Sequence, residues 1–150
     1  MINTIKIILS VLFLFSFSSC LVGYGSLDNF TYLDKQKNSE FENKLKNNQI
    51  KKPSAQAIDS VLIFIEGEKL DFNYEKIGLI EVTGDKNSFE SDLLLQLKRG
   101  AKFRGCNAII NFRKDFISRE RGEILTDKPL EIYTSRILRG VAVKIIDTKI

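Results

Sequence analysis

The sequence predicts an α+β fold, a mixed or antiparallel sheet of about five strands with one amphipathic helix packed on one face. Three observations lead to this prediction. Residues 61–65 (VLIFI) form a continuous apolar run, which is typical of a strand covered on both faces. Apolar residues recur at helical spacing between residues 88 and 104, and every second residue from 141 to 145 is apolar and β-branched. These patterns predict the helix and a closing strand.

The first segment of the chain, residues 1–19, is predicted to be a lipoprotein signal peptide. One lysine, an almost wholly apolar run at residues 7–17 and two serines lead to Cys20, which is the order of a secretory signal. A cysteine directly after small residues resembles the bacterial lipobox, which implies cleavage before Cys20 and lipidation of its thiol. The alternatives are an uncleaved anchor, since residues 5–22 approach the ~20 residues of a spanning helix, and an ordinary buried helix.

Residues 20–56 are predicted to comprise the lipidated cysteine and a flexible tether. Lysine and asparagine are frequent in residues 23–53, where apolar residues are few and unperiodic. Such a segment buries too little apolar surface to offset the entropy lost on ordering. Phe41 and Leu45 are four residues apart and predict at most one weak helical turn. An alternative role for the basic residues is contact with anionic lipid.

The folded domain is predicted to cover residues 57–150. Its strands are expected at residues 61–65, 77–83, 107–112 (continuing towards Arg119), 130–134 and 137–146. Gly78 is expected to mark a bulge or a close backbone approach. The link from the second strand through the helix to the third is long enough for a crossover.

The helix is expected from Ser88 to Arg104. Asn87 is the predicted N-cap, with Glu90 in the capping-box position, and Gly105 provides a left-handed stop. One stripe of the helix is expected to pack against inward-facing strand residues, because these are the long periodic apolar faces of the domain. The stripe is Phe89, Leu93, Leu97 and Ala101, and the strand residues are Ile77, Leu79, Ile109, Val141 and Val143.

The chain contains two cysteines and no histidine. If Cys20 is acylated, Cys106 has no intramolecular disulfide partner. We expect Cys106 to be buried on one strand face with Ala108 and Ile110, and a reactive thiol is the alternative. Without histidine, the chain cannot form the usual Ser-His or Cys-His nucleophile by itself. We therefore predict a protein that is not an enzyme and assign it no cofactor.

Candidate metal and nucleic-acid sites are weak. The densest acidic group is Glu66, Glu68, Asp71 and Glu75. Its spacing fits no calcium loop, so a solvated turn is predicted, and zinc or copper would lack histidine and paired thiols. The second half of the chain is basic. Because this basic half follows a predicted export signal, we interpret it as a solvated surface or a contact with anionic envelope polymers. We predict no nucleic-acid partner.

Three blocks of sequence resemble the YbjQ-like domains. Residues 74–84 (YEKIGLIEVTG) are similar to the opening strand of that family, residues 97–110 to its helix end and next strand, and residues 140–145 (GVAVKI) to its closing strand. The same scaffold occurs in RcsF-like outer-membrane lipoproteins. The resemblance implies a small α+β domain, a homo-oligomer such as the ring of the cytosolic members, and the heavy-metal-binding label of the family.

The sequence leaves two functions open. The first is a non-enzymatic bacterial envelope lipoprotein that binds an unidentified envelope protein or monitors the envelope from its tether. The alternative, implied by the family label, is a metal-binding or metal-responsive lipoprotein. An Asp directly after the lipidated cysteine resembles an inner-membrane retention signal, and this chain has Leu21 at that position. The expected location is therefore the outer membrane, with the domain held by its lipid and facing the periplasm.

Overall fold

The computed structural model describes residues 27–121 and 131–147, which form five strands and three helices. In chain order the elements are β1 (Leu27–Tyr32), α1 (Lys35–Lys46), α2 (Ala55–Asp59), β2 (Leu62–Ile65), β3 (Asn73–Thr83), α3 (Glu90–Phe103), β4 (Ala108–Arg121) and β5 (Glu131–Asp147). The strands form one sheet in the order β1-β3-β5-β4-β2, in which β2 and β4 are parallel and the other pairs antiparallel. The fold is therefore α+β with a mixed sheet, as the sequence predicts.

The central strand β5 differs from its prediction. Two separate strands were expected at residues 130–134 and 137–146, but β5 runs without interruption from Glu131 to Asp147. It pairs with β4 along one edge and with β3 along the other. The hydroxyl of Ser135, near the expected break, is buried and donates to the Gly84 carbonyl. This polar residue is accommodated inside the strand, because its hydrogen-bonding group finds a backbone partner.

The main core lies between α3 and one face of the sheet, here called the helix face. Leu93, Leu97 and Ala101 of α3 are at most 1% exposed, which confirms three of the four residues of the predicted stripe. They belong to one cluster with Ile80 and Val82 of β3, Ile109 of β4, and Leu138 and Ala142 of β5. Each buried Leu side chain of this kind stabilises the fold by about 1.5–3 kcal/mol through removal of apolar area from water.

The predicted facing of β5 is wrong. Val141 and Val143 were expected beneath the helix, yet they pack in a second cluster on the opposite face, and Leu79 on that face is 49% exposed. The helix side of β5 is lined by Leu138 and Ala142 instead. Both sides of this strand are apolar, so alternation alone does not show which one the helix covers, and a choice that is wrong by one residue reverses every side chain.

The start of α3 also differs from its prediction. The helix begins at Glu90, its N-cap is Phe89 without a side-chain cap, and Phe89 is 72% exposed. Asn87 does not cap the helix. Asp85 forms a turn in its place, because its carboxylate accepts from the Asn87 backbone N–H and from the Ser88 hydroxyl, at 2.9 and 2.8 Å. The turn occupies the Asn87 backbone N–H to which Glu90 would bond in a capping box. The Glu90 carboxylate accepts from Lys114 instead.

The end of α3 follows the prediction. Gly105 has a φ of 78°. The backbone N–H of Cys106 donates to the Ala101 carbonyl at 3.1 Å, and that of Gly105 donates to the Lys102 carbonyl at 2.9 Å. These two bonds form a Schellman motif, which requires a left-handed residue that glycine adopts without steric cost.

The predicted flexible tether is wrong for residues 27–56, and the domain begins no later than Leu27 rather than at residue 57. Strand β1 pairs with β3 from Leu27 opposite Thr83 to Tyr32 opposite Gly78. Gly78 is required here, because a Cβ atom at this position would lie 2.3 Å from the Phe30 ring. Only alternate residues of an edge strand face the core, so the segment is polar in composition although it is part of the fold.

Helix α1 is attached to the domain by aromatic and cationic contacts. Phe41 lies between the rings of Tyr32 and Phe103, at centroid distances of 5.7 and 5.6 Å. The Arg104 guanidinium lies over the Phe30 ring at 4.3 Å. Such aromatic and cation–π contacts are worth about 0.5–1.5 kcal/mol each beyond the buried area. No residue of α1 is fully buried. The sequence of this helix therefore has no apolar stripe from which it could have been predicted.

Cys106 is fully buried beside α3, which confirms its predicted packing role, but its predicted neighbours are wrong. It precedes β4 and lies in the helix-face cluster, whereas Ala108 and Ile110 lie in the cluster on the other face. The backbone between Gly105 and the strand is irregular, so strand alternation does not extend back to Cys106.

We predict that Phe30→Ala lowers the free energy of unfolding by about 2 kcal/mol or more, because β1 belongs to the core. The matched control is Leu33→Ala, which removes a side chain that is 53% exposed just after the strand and should cost less than about 1 kcal/mol. Urea denaturation of both variants measures the difference. Equal, small losses of the free energy of unfolding would show that β1 is dispensable and would support a flexible tether at this segment.

Candidate functional site

The face of the sheet opposite α3, here called the open face, carries the candidate site. Thr31, Leu79, Val141 and Ile110 are successive Cα partners across β1, β3, β5 and β4. Residues in one such row project from the same face of a sheet. The open face therefore presents a continuous surface across four strands, and the half-exposed Leu79 lies within it.

One end of the open face is closed by aromatic side chains. Ala108, Ile110 and Val143 form a buried cluster there. Phe72 lies between Phe64 and Tyr74, with ring centroids 5.0 and 5.9 Å away, and Phe64 and Tyr74 pack against the cluster. Apolar side chains that point away from the helices thus find a second, smaller core, which explains why both sides of β5 are apolar.

Beyond this cluster the open face contains a depression of about 540 Å³, which we call the sheet groove. Its lining includes Thr31, Leu79, Glu81, Arg113, Arg139 and Val141. The floor is apolar where Leu79 and Val141 are adjacent partners, and one row further along the strands it becomes charged where Glu81 and Arg139 are partners. The groove can therefore contact both an apolar and a charged group of one ligand.

The charged side chains of the sheet groove form a network with the neighbouring Asp115. The Arg139 Nε atom lies 3.2 Å from Asp115 Oδ2 and 3.4 Å from Glu81 Oε2. The Arg113 Nε atom lies 3.7 Å from the same Asp115 oxygen, and Arg113 also reaches Glu66 at 4.0 Å. These side chains are partly exposed, so each pair contributes only about 0.2–1 kcal/mol to stability. Three carboxylates face two guanidinium groups, which leaves the network with a net negative charge.

A bulge in β4 places Arg113 in this network. The pairing of β4 with β5 shifts between Ile110 and Arg113, and Asn111 in the bulge has a φ of 51°. One extra residue in a strand moves the side chains that follow to the opposite face of the sheet. Gly140 on β5 permits the close approach, because a Cβ atom there would lie 2.6 Å from Ile109 Cγ2 and 3.1 Å from the Ile110 carbonyl oxygen.

The groups whose pKa is most shifted lie outside the sheet groove. Burial raises the pKa of the Cys106 thiol to about 12, and burial likewise raises the pKa of Tyr32 to about 12 against the opposing charge of Arg104. The hydrogen bond from Lys114 lowers the pKa of Glu90. A thiol with a raised pKa stays protonated at neutral pH and is a poor nucleophile, so Cys106 acts as a packing residue.

The acidic residues singled out in the sequence do not converge. Glu68 accepts from the Ile65 backbone N–H at 2.9 Å, Asp71 lies 3.6 Å from Lys69, and Glu75 pairs with Lys37 of α1. Within residues 27–121 and 131–147, no three His, Cys, Asp or Glu residues lie close enough to hold a metal ion. Cys20, the predicted lipidation site, lies outside the described residues.

The residues of the sheet groove were not identified as a site from the sequence. Leu79 was placed in the core, and Glu81, Asp115 and Arg139 were not distinguished from other charged residues. A usable signal was present, because β3 alternates Leu79 with Glu81 and β5 alternates Arg139 with Val141. A strand face that mixes apolar and charged residues indicates a half-exposed surface.

Ionisation of Cys106 predicts a specific alkaline instability. Its pKa rises from 9.0 to about 12 on folding, so the unfolded chain loses the proton first and stability should fall as pH rises from about 9 to about 12. Cys106→Ala should cost about 1 kcal/mol at neutral pH and should flatten this decline. The pKa of Tyr32 is likewise raised, from 10.0 to about 12. The decline in stability that remains in the variant should therefore come from Tyr32. Urea denaturation between pH 7 and 11 measures both slopes, and identical pH dependence in wild type and variant would contradict the assignment.

In the part of the chain that the structure describes, no helix has both the length and the apolar character needed to cross a membrane. Comparisons of the chain with protein-family models, with characterised proteins and with solved structures find no match. The YbjQ-like and RcsF-like resemblance therefore stays a prediction.

Proposed function

We propose that this protein is a non-enzymatic lipoprotein of the bacterial envelope that binds a segment of a partner protein in the sheet groove. Anchoring is supported by the order of a basic residue, an apolar run, two serines and Cys20. The outer membrane facing the periplasm is the proposed location, because Leu21 follows the cysteine. The observation that carries the binding role is the sheet groove, with an exposed apolar floor beside a fixed charge network.

The composition of the sheet groove suits a protein ligand. Protein interfaces combine apolar contact with arginine and a polar rim, and the groove places Leu79 and Val141 beside Arg139 and Arg113. The carboxylates of Glu81 and Asp115 hold Arg139 in place before binding. Ligand binding then orders fewer side chains, which reduces its entropic cost.

The charge of the network indicates the chemistry of the partner segment. Glu66, Glu81 and Asp115 outnumber Arg113 and Arg139, so an added basic group is favoured over an added acidic one. We propose that the partner segment carries an aliphatic side chain that packs on Leu79. It also carries a lysine or arginine that pairs with the carboxylates of the network. The non-enzymatic assignment is supported by the lack of histidine in the chain and by the burial of Cys106.

The proposal predicts a site-specific cross-link in living cells. A photoreactive amino acid replaces Leu79 in the sheet groove or, as a matched control, Leu62 on the edge strand β2, since these side chains are 49% and 50% exposed. A discrete protein adduct is expected from position 79 only. Adding Glu81→Lys should abolish it, because a basic partner would then meet a like charge.

Absence of an adduct at position 79, or equal adducts at both positions, would reject the sheet groove as the binding surface. Anchoring is tested separately by metabolic labelling with a fatty acid. Cys20→Ala should abolish incorporation, and unchanged incorporation would reject the lipoprotein assignment.

A further inference from the structure

A two-stranded ribbon projects from one end of the sheet. Leu27, Thr83, Ile137 and Asp115 form a row of Cα partners across β1, β3, β5 and β4. Among residues 27–121 and 131–147, only β4 and β5 continue past this row, with residues 116–121 paired to residues 131–136. We call these two segments the ribbon. At ~3.4 Å per residue, the six paired positions extend about 20 Å beyond the rest of the sheet.

The chain from Cys20 enters the sheet at the end from which the ribbon projects. Strand β1 is antiparallel to β3, so Leu27 lies beside Thr83, the last residue of β3. Seven Cα–Cα steps separate Cys20 from Leu27, and they span at most about 25 Å at full extension. A lipid on Cys20 would therefore keep the membrane within ~25 Å of this row. The ribbon, about 20 Å long, reaches the membrane whenever the segment from Cys20 to Leu27 spans less than its full extension.

This end of the molecule exposes large apolar side chains. Phe116 and Ile132 on the ribbon are 56% and 70% exposed, and Phe89 at the start of α3 is 72% exposed. Phe116 is paired with Arg136 and Ile132 with Glu120, two rows further along. Since side chains alternate along a strand, Phe116 and Ile132 project from one face of the ribbon. Lys114 pairs with Glu90 at 2.8 Å and keeps the start of α3 against the base of that face.

The basic groups on this face already have partners. Lys114 is hydrogen-bonded to Glu90, and Arg136 donates to the Ser88 carbonyl at 3.4 Å. The carboxylate of Glu120, the Cα partner of Ile132, lies on the same face. Attraction to an anionic surface would therefore add little, and Phe116, Ile132 and Phe89 supply the apolar contact. Exposed aromatic and aliphatic side chains at one end of a domain are suited to the interfacial region of a bilayer.

We propose that Phe116 and Ile132 on this face of the ribbon, together with Phe89, dock onto the lipid surface that holds the Cys20 anchor. The inference depends on the lipidation of Cys20 proposed above, because the short chain from Cys20 to Leu27 brings the ribbon to the membrane. Docking would replace a freely tumbling domain by one with a fixed orientation. The contact should be insensitive to salt, since it is apolar.

The test uses the full lipidated protein in vesicles of phosphatidylethanolamine and phosphatidylglycerol. Ile132→Cys on the ribbon is labelled with an environment-sensitive fluorophore, and Ile146→Cys is the matched control. Ile146 is 68% exposed and lies on the same strand at the opposite end of the sheet. Cys106 is buried and should not react under native conditions.

Quenching of the label by aqueous iodide should be several-fold weaker at position 132 than at position 146, at low and at high salt. Phe116→Ser should raise quenching at position 132 towards the control value, because it removes part of the inserted surface. Equal quenching at the two positions, with fatty acid incorporated at Cys20, would overturn the docking alone.

Two other outcomes also reject the proposal. If position 132 is shielded in isolated envelopes but accessible in vesicles, a protein covers the ribbon. If Cys20 incorporates no fatty acid, the anchor and the docking are rejected together. The labelling experiment thus distinguishes failure of the proposed lipoprotein from failure of the membrane contact.

Discussion

The packing of α3 against the helix face determines the rest of the structure. Leu93, Leu97 and Ala101 select which sides of β3 and β5 become the core, and Ile80 and Leu138 meet the helix there. A helix can bury only one apolar stripe against a sheet, so the opposite side of the same strands remains available. The sheet groove exists because Leu79 and Val141 lie on that side.

The two proposed contacts use different parts of the molecule. The sheet groove lies on the open face of the four-stranded part of the sheet, whereas the ribbon extends from one end beyond Thr83 and Leu27. A ribbon held at the membrane would leave the groove accessible from the side. In the proposed lipoprotein, the structured segment from residue 27 onwards changes the expected arrangement, because seven Cα–Cα steps rather than some thirty would separate Cys20 from the fold. Such a protein would bind partners near the membrane rather than at a distance.

The helix was predictable from sequence because its signals are local. A four-residue apolar spacing and Gly105 specify the stripe and the end of α3 without reference to any other element. Most strands were located for the same reason. The predicted number of strands is also correct, but only because the omission of β1 balances the division of β5 into two strands.

What the sequence could not supply depends on contacts between distant segments. Strand β1 is recognisable only through its pairing with β3 and the space that Gly78 leaves for Phe30. The facing of β5 depends on which side the helix covers, and both sides are apolar. The sheet groove requires the β4 bulge, which turns Arg113 to the open face. Neither the pairing of β1 nor the β4 bulge leaves a periodic pattern in its own segment.

The central claim, that α3 holds the helix face as its core, is tested most directly by comparing two leucines of the same helix. Leu97 is fully buried and Leu95 is 40% exposed, so the chemical change to alanine is identical and only the packing differs. In urea denaturation, Leu97→Ala should lower the free energy of unfolding by about 2–5 kcal/mol and Leu95→Ala by less than about 1. Losses of equal size for the two variants would contradict the account.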